Sequence, residues 1–369
     1  FCEGFSEDLL SMLSRYNKLV VISSHASFAY KEKSKSFKEI GKELGVRYVI
    51  HGSVRKLGPR MRINANLVST ENEKSIWSNN FDLKVEEVFD VQDKIAEEMV
   101  STIVGRVEAD ALDNIKTKRP DNMDSYDLVL QGLEYAKKGN VMKENTQKAV
   151  ELFEKAIEVE PSYARAHAWR ACTLSNLADW EENPDPKIFE NAFKSIKLAL
   201  ELDSNEPEVH RIMGALKLWH ERDHEMAKYH FEKARELCPS DVFIISRYAI
   251  MLIYFAEFDK ALEELERAKR LDPFSHDLIF GPEATCHYWL DNPKEALQTF
   301  KKVKVKKNYL FYMALTYKKI GDNDQASEIL REAHALTGMD NDSFIGTQPF
   351  KDQDILSTLK NELSEIQTK

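Results

Sequence analysis

The sequence predicts a small amino-terminal domain of α+β or α/β class followed by an all-α solenoid of helix–turn–helix repeats, mostly α overall. Three observations predict it. Two small residues seven apart, with a bulky apolar residue between them, recur six times from Ala149 onward. Prolines stand just after several copies of that phrase. Before Lys118 the apolar pattern instead alternates between helical and strand periods.

The recurring phrase is Ala149/Phe153/Ala156, Ala192/Ile196/Ala199, Ala227/Phe231/Ala234, Ala261/Leu265/Ala268, Ala296/Phe300/Val303 and Ala326/Leu330/Ala333. First alanines lie 43, 35, 34, 35 and 30 residues apart. Small residues at this spacing let helices approach closely while the bulky residue fills the gap. Pro161, Pro239 and Pro273 end one repeat and open the next. Ala215, Ala249, Ala284 and Ala314, each 12 residues before the next first alanine, mark the first helix of their repeats. In copies one and two that place falls to Gly132 and Ala171, displaced by longer turns at Gly139–Thr146 and Trp180–Ile188. These features resemble tetratricopeptide repeats, whose period is about 34 residues. The resemblance covers about Ser125 to Leu336.

A net charge of −10, with 43% hydrophobic and 31% charged residues, fits a globular chain and argues against nucleic-acid partners. Five lysines between Lys301 and Lys307 form the one dense basic run, read as a solvated helix end. Cys2, Cys172, Cys238 and Cys286 lack metal or disulfide spacing, and neither G-x-x-x-x-G-K-[ST] nor G-x-G-x-x-G occurs, so no metal and no cofactor is expected. No apolar run is long enough to span a bilayer, and direct membrane contact is not expected of this segment. Because the chain opens at Phe1 without methionine, it reads as a piece of a longer protein.

Ser6-Glu7-Asp8 caps a first helix carrying Leu9, Met12, Leu13 and Tyr16. Leu19–Ile22 reads as a buried strand, and Phe37, Ile40 and Leu44 as a helix stopped by Gly45. Val46–Ile50, Met61–Leu67 and Ser75–Phe81 read as strands joined at Gly58-Pro59 and Glu71–Glu73. Val88, Val91, Ile95, Met99, Ile103 and Val107 form one helical stripe ending before Pro120. Leu19–Ile22 would need a parallel neighbour, which suggests a first strand upstream of Phe1. The expected segments are 1–118, a repeat region at 119–336 and a tail with a terminal helix at 337–369.

Glu3–Leu10, Ser27–Lys31, Ile40–Val49, Gly52–Lys56 and Phe89–Asp93 resemble, in order, the TolB amino-terminal-like domain that precedes tetratricopeptide repeats in bacterial signalling proteins. The resemblance implies the regulatory region of a protein similar to class III adenylate or guanylate cyclases, with the effector upstream. The alternatives are the sensor half of a winged-helix transcriptional regulator and a free-standing periplasmic adaptor. A membrane helix upstream would place this region in the periplasm, a soluble effector in the cytoplasm.

His220-Glu221-Arg222-Asp223-His224 matches the zinc-peptidase spacing, but that chemistry needs one continuous helix and the repeat register puts a turn there. No catalytic set is expected. Phe28 and Tyr30, in a loop after the expected buried strand, are candidates for a ligand loop or a sheet cap. Counting from Ala215 and Ala249, the inner face of the repeats should carry Val209, Ile212, Leu216, Trp219, Phe243, Ser246, Ile250 and Ile253. Val129, Leu133, Ile212 and Leu216 cannot donate bonds to a peptide carboxylate, so a carboxylate clamp is not expected. The face suits an apolar or helical protein segment, self-association, or cover by the chain's own Asp352–Ile366 helix. Trp219→Asp separates these: weakened association of a folded chain supports a used groove, whereas unfolding makes Trp219 core.

Overall fold

A computed structural model describes residues 2–16, 19–31, 35–84, 87–104, 122–139, 142–178, 180, 185–274 and 276–366. The expected boundary at 118/119 and the end of the helix before Pro120 lie outside them, as do parts of both long turns. Two compact units are formed, Phe1–Leu216 with Lys233–Asp241, and Lys217–Glu232 with Val242–Lys369.

In the first unit, α1 (Cys2–Ser14), α2 (Ser24–Phe28) and α3 (Phe37–Leu44) precede strands β1 (Tyr48–Leu57), β2 (Arg60–Ser69) and β3 (Ser75–Lys84), and α4 (Val88–Val104) follows. The strands form an antiparallel sheet in the order β1-β2-β3. Leu57 pairs with Arg60, leaving a two-residue hairpin in which Gly58 takes the positive φ of 58° that a II′ turn requires. Met61, Ile63, Ala65 and Leu67 alternate onto one face, where Phe5, Leu9, Met12, Ile95 and Met99 form the core with all but Leu67. Ser36 and Glu39 make a reciprocal cap at the start of α3, and left-handed Gly45 ends it.

Leu19–Ile22 is not a strand. Among the described residues no strand runs beside it; Leu19 N–H donates to the Tyr16 carbonyl at 3.0 Å and its carbonyl accepts from the Ser240 hydroxyl at 3.3 Å. Leu19 and Val21 pack against the domain core while Val20 is 77% exposed. Every sheet pairing described is antiparallel, so the domain is α+β in the described residues.

Five helical hairpins of the repeats are formed among the described residues. The first two pair α5 (Met123–Gly139) with α6 (Lys143–Val159) and α7 (Ala164–Ala178) with α8 (Pro186–Leu202). Next in the chain, α9 (Pro207–Leu216) runs into a π turn at Lys217–Glu221 before α10 (His224–Leu237). The last three pair α11 (Val242–Tyr254) with α12 (Phe258–Leu271), α13 (His276–Trp289) with α14 (Pro293–Phe300), and α15 (Leu310–Lys319) with α16 (Asn323–Thr337). All eighteen residues of the recurring phrase are buried. At Gly132 a Cβ would sit 2.6 Å from the Phe153 ring, which is why that position carries no side chain.

The turn between paired helices recurs too. Arg222, Ala256, Asp291 and Gly321 have φ of 56°, 59°, 57° and 85°. The N–H after each closes the helix end: Glu257, Asn292 and Asp322 donate to the carbonyls five residues back, Leu252, His287 and Tyr317. Asp223 instead donates to Lys217, six back, because the π turn inserts one residue. The counterpart of Ala249, Ala284 and Ala314 is therefore Gly214, which is buried, and not Ala215, which is half-buried. Only Gly321 meets the left-handed conformation without strain, so Gly321→Ala is expected to cost about 1 kcal/mol in urea unfolding.

Two buried histidines repeat in the first unit. His167 Nε2 lies 2.8 Å from the Pro161 carbonyl and His210 Nε2 lies 3.0 Å from the Ser204 carbonyl. Burial lowers both imidazole pKa values. The folded state thus favours neutral rings, so this stability is complete above the ordinary histidine pKa of about 6.5 and is lost as pH falls below it. The melting temperature should drop between pH 7.5 and 5.5, and His167→Gln with His210→Gln should flatten that slope.

Candidate partner-binding face

In the second unit, the positions two and three residues before each left-handed turn fall at the ends of successive first helices. They hold Trp219 and His220, Ile253 and Tyr254, Tyr288 and Trp289, and Lys318 and Lys319. The Trp219 and Tyr254 rings meet edge-on at 5.6 Å, as do Tyr288 and Trp289 at 5.0 Å. Tyr288 and Trp289 also pack on Tyr312, at 5.5 and 6.4 Å. Burial raises the Tyr254 and Tyr312 phenols above their usual range, as burial and the Glu362 carboxylate do for Tyr288, so all three remain hydrogen-bond donors.

This aromatic face is covered by the chain's own tail. Helix α17 (Asn341–Thr347) places Phe344 flat on Phe311 at 4.1 Å. Phe350 is 2% exposed and seats its ring 5.1 Å from Tyr254 and 5.6 Å from Trp289. Around it the tail's backbone is held by the face: Arg222 donates to the Gly346 carbonyl at 2.6 Å, and His224 Nε2 lies 3.0 Å from the Pro349 carbonyl. The Lys351 N–H donates to the Tyr254 carbonyl at 3.0 Å. Helix α18 (Gln353–Ser364) buries Leu359 and Leu363. The Tyr288 hydroxyl donates to Glu362, while Lys318 donates to the Glu362 carbonyl at 3.0 Å and pairs with Glu365. Lys319 lies 3.9 Å from Glu362 Oε1.

The sequence-derived candidates divide. Val209, Ile212 and Leu216 are not on an open face: they pack with Ala168, Ala171, Ile196 and Ala199 in the first unit's core. The inserted π-turn residue explains this for Val209 and Leu216, since counting from Ala215 instead of Gly214 moves them by one residue from the places of half-buried Phe243 and Ile250; it does not for Ile212, whose counterpart Ser246 is buried without any insertion. Ser246 and Ile253 are also buried, Phe243 and Ile250 half-buried. Trp219 is half-buried and belongs to the aromatic face. Tyr254, Tyr288, Trp289, Lys318 and Lys319 were missed, although their recurrence just before each turn was available in the sequence.

Of the loop candidates, neither Phe28 nor Tyr30 is exposed. Phe28 ends α2, which Ser23 caps, and is half-buried. Tyr30 is buried and donates to Glu43 Oε2 of α3 at 2.8 Å. In the zinc-like motif, His220 lies in the π turn and His224 opens the next helix, on either side of left-handed Arg222.

No protein-family model matches the chain. It is 27% identical over 223 residues to a Rhizobium meliloti (strain 1021) protein named "Putative adenylate cyclase 3", covering 60% of this chain and 38% of that protein. Among solved structures it is similar to PilF of Pseudomonas aeruginosa, at 20% identity and a TM-score of 0.42, over 64% of this chain and 98% of that one. A tetratricopeptide repeat protein from Parabacteroides merdae is similar at 12% identity and a TM-score of 0.42, over 76% of this chain and 95% of that one. Among the described residues no helix is long and apolar enough to cross a membrane.

Proposed function

We propose that this chain is a non-catalytic protein-interaction region that regulates an effector in the same polypeptide, a nucleotide cyclase. In that reading 1–118 is a TolB-like domain, 119–336 the repeats and 337–369 a tail. The observation that supports the interaction role most is the aromatic face at Trp219, Tyr254, Tyr288 and Trp289, which already holds a protein segment by ring packing and backbone hydrogen bonds. Such contacts are those of a helix or peptide laid in a groove. The cyclase assignment is supported by the sequence match over 38% of the Rhizobium protein.

The isolated chain should self-associate or bind a protein, and should form no cyclic AMP or cyclic GMP from ATP or GTP. In the intact polypeptide, Tyr254→Ala with Trp289→Ala should change cyclic-nucleotide output at unchanged protein level. Cyclic-nucleotide synthesis by the isolated chain would overturn the non-catalytic reading, and unchanged output from the intact variant would overturn the regulatory one.

A further inference from the structure

The tail meets the aromatic face as a ligand would. Its anchor, Phe350, is a single buried ring in a seat made by Tyr254 and Trp289. Around that anchor, the face's Arg222 and His224 engage main-chain carbonyls of the tail, contacts that do not depend on side-chain identity. Beyond it the last turn and C-cap of α18 bring Glu362 and Glu365 to Lys318 and Lys319. Glu365 is 67% exposed, so that pair orients the helix more than it holds it, and Phe350 is the anchor. The segment is also set apart from the last repeat: α16 ends at left-handed Gly338, and only Met339 and Asp340 precede α17.

We propose that residues 341–366 are a built-in competitor for this face, displaced by a partner segment of the same chemistry: an aromatic anchor for the Tyr254/Trp289 seat followed by an acidic helical turn for Lys318 and Lys319. This rests on reading the face as the partner site. A tethered occupant acts at high effective concentration, so a free segment binds weakly until the tail's docking is loosened. Regulation then resides in the tail, because whatever weakens its docking opens the face.

The test uses a fluorescent synthetic peptide of residues 341–366 and the full chain. It should bind the Phe350→Ala chain about tenfold or more tighter than the wild type. It should also bind a Glu362→Lys/Glu365→Lys chain more tightly than the wild type, by a smaller factor, and that variant removes no core side chain. Unchanged circular dichroism confirms that each variant is folded, and the charge-reversed chain decides if Phe350→Ala unfolds. Adding Lys318→Glu and Lys319→Glu to the Phe350→Ala chain should weaken the peptide again. Equal affinity for wild type and the folded variants, or binding to neither, would overturn the proposal. Peptide binding without any effect of the face on cyclic-nucleotide output would leave the competitor standing and remove the regulatory function.

Discussion

Phe153→Ala is expected to destabilise the chain by about 3–5 kcal/mol, the cost of emptying a fully buried aromatic site. Phe153 is 0% exposed and belongs to a cluster with Val129, Leu133, Ala149, Ala156 and Ala166. Its partner across the hairpin is Gly132, where a methyl group would come within 2.6 Å of the ring. Gly132→Ala alone should therefore cost about 1–3 kcal/mol through overpacking. In the Phe153→Ala background the same change should be stabilising. The ring is gone, the added methyl occupies part of the cavity, and alanine exceeds glycine by about 1 kcal/mol in a helix interior. Urea unfolding of the four chains in this cycle reads the coupling. Additive effects would show that Gly132 and Phe153 do not share one contact.

Asp8→Ala should cost about 3 kcal/mol, because it leaves a largely buried guanidinium without its carboxylate. Asp8 Oδ1 accepts from Arg165 at 2.7 Å, and Asp8 Oδ2 accepts from the Tyr126 hydroxyl at 2.5 Å. Asp8 keeps 14% of its side chain exposed and Arg165 24%, hence the lower end of the range for broken buried pairs. Burial and the adjacent Asp8 carboxylate hold the Tyr126 phenol well above its usual range. A second tie, from Arg15 just after α1 to Glu206 at 3.3 Å, joins the same segment to the repeats. The loss should thus appear in one cooperative transition of the first unit, not in local fraying of α1. Asp8→Asn, which keeps an acceptor, should lose less. Asp82→Ala, at the exposed Arg62–Asp82 pair of the sheet, should leave the midpoint unchanged.

The repeat architecture was legible because close helix packing restricts residue size at fixed spacing, and size restrictions survive in sequence. The hairpins of the sheet were legible for a similar reason, since Gly58-Pro59 and the alternation from Met61 to Leu67 are local. Leu19–Ile22 was misread because four apolar residues specify burial but not a hydrogen-bonding neighbour. The π turn was invisible: one inserted residue leaves the apolar count of α9 intact yet moves Val209 and Leu216 by one residue from the places of half-buried Phe243 and Ile250. The tail's docking was hidden as well. Phe350 belongs to no period, and only the fold brings it to Tyr254 and Trp289, 96 and 61 residues earlier.

The central claim is that the ends of the first helices form a surface that holds a protein segment. Hydrogen–deuterium exchange of the full chain tests it most directly. Amides of residues 341–366, Lys351 among them, should exchange slowly in the wild type and quickly in Phe350→Ala, with the repeat helices 123–337 unchanged. Fast exchange of 341–366 in the wild type would contradict the account, because the face would then hold nothing.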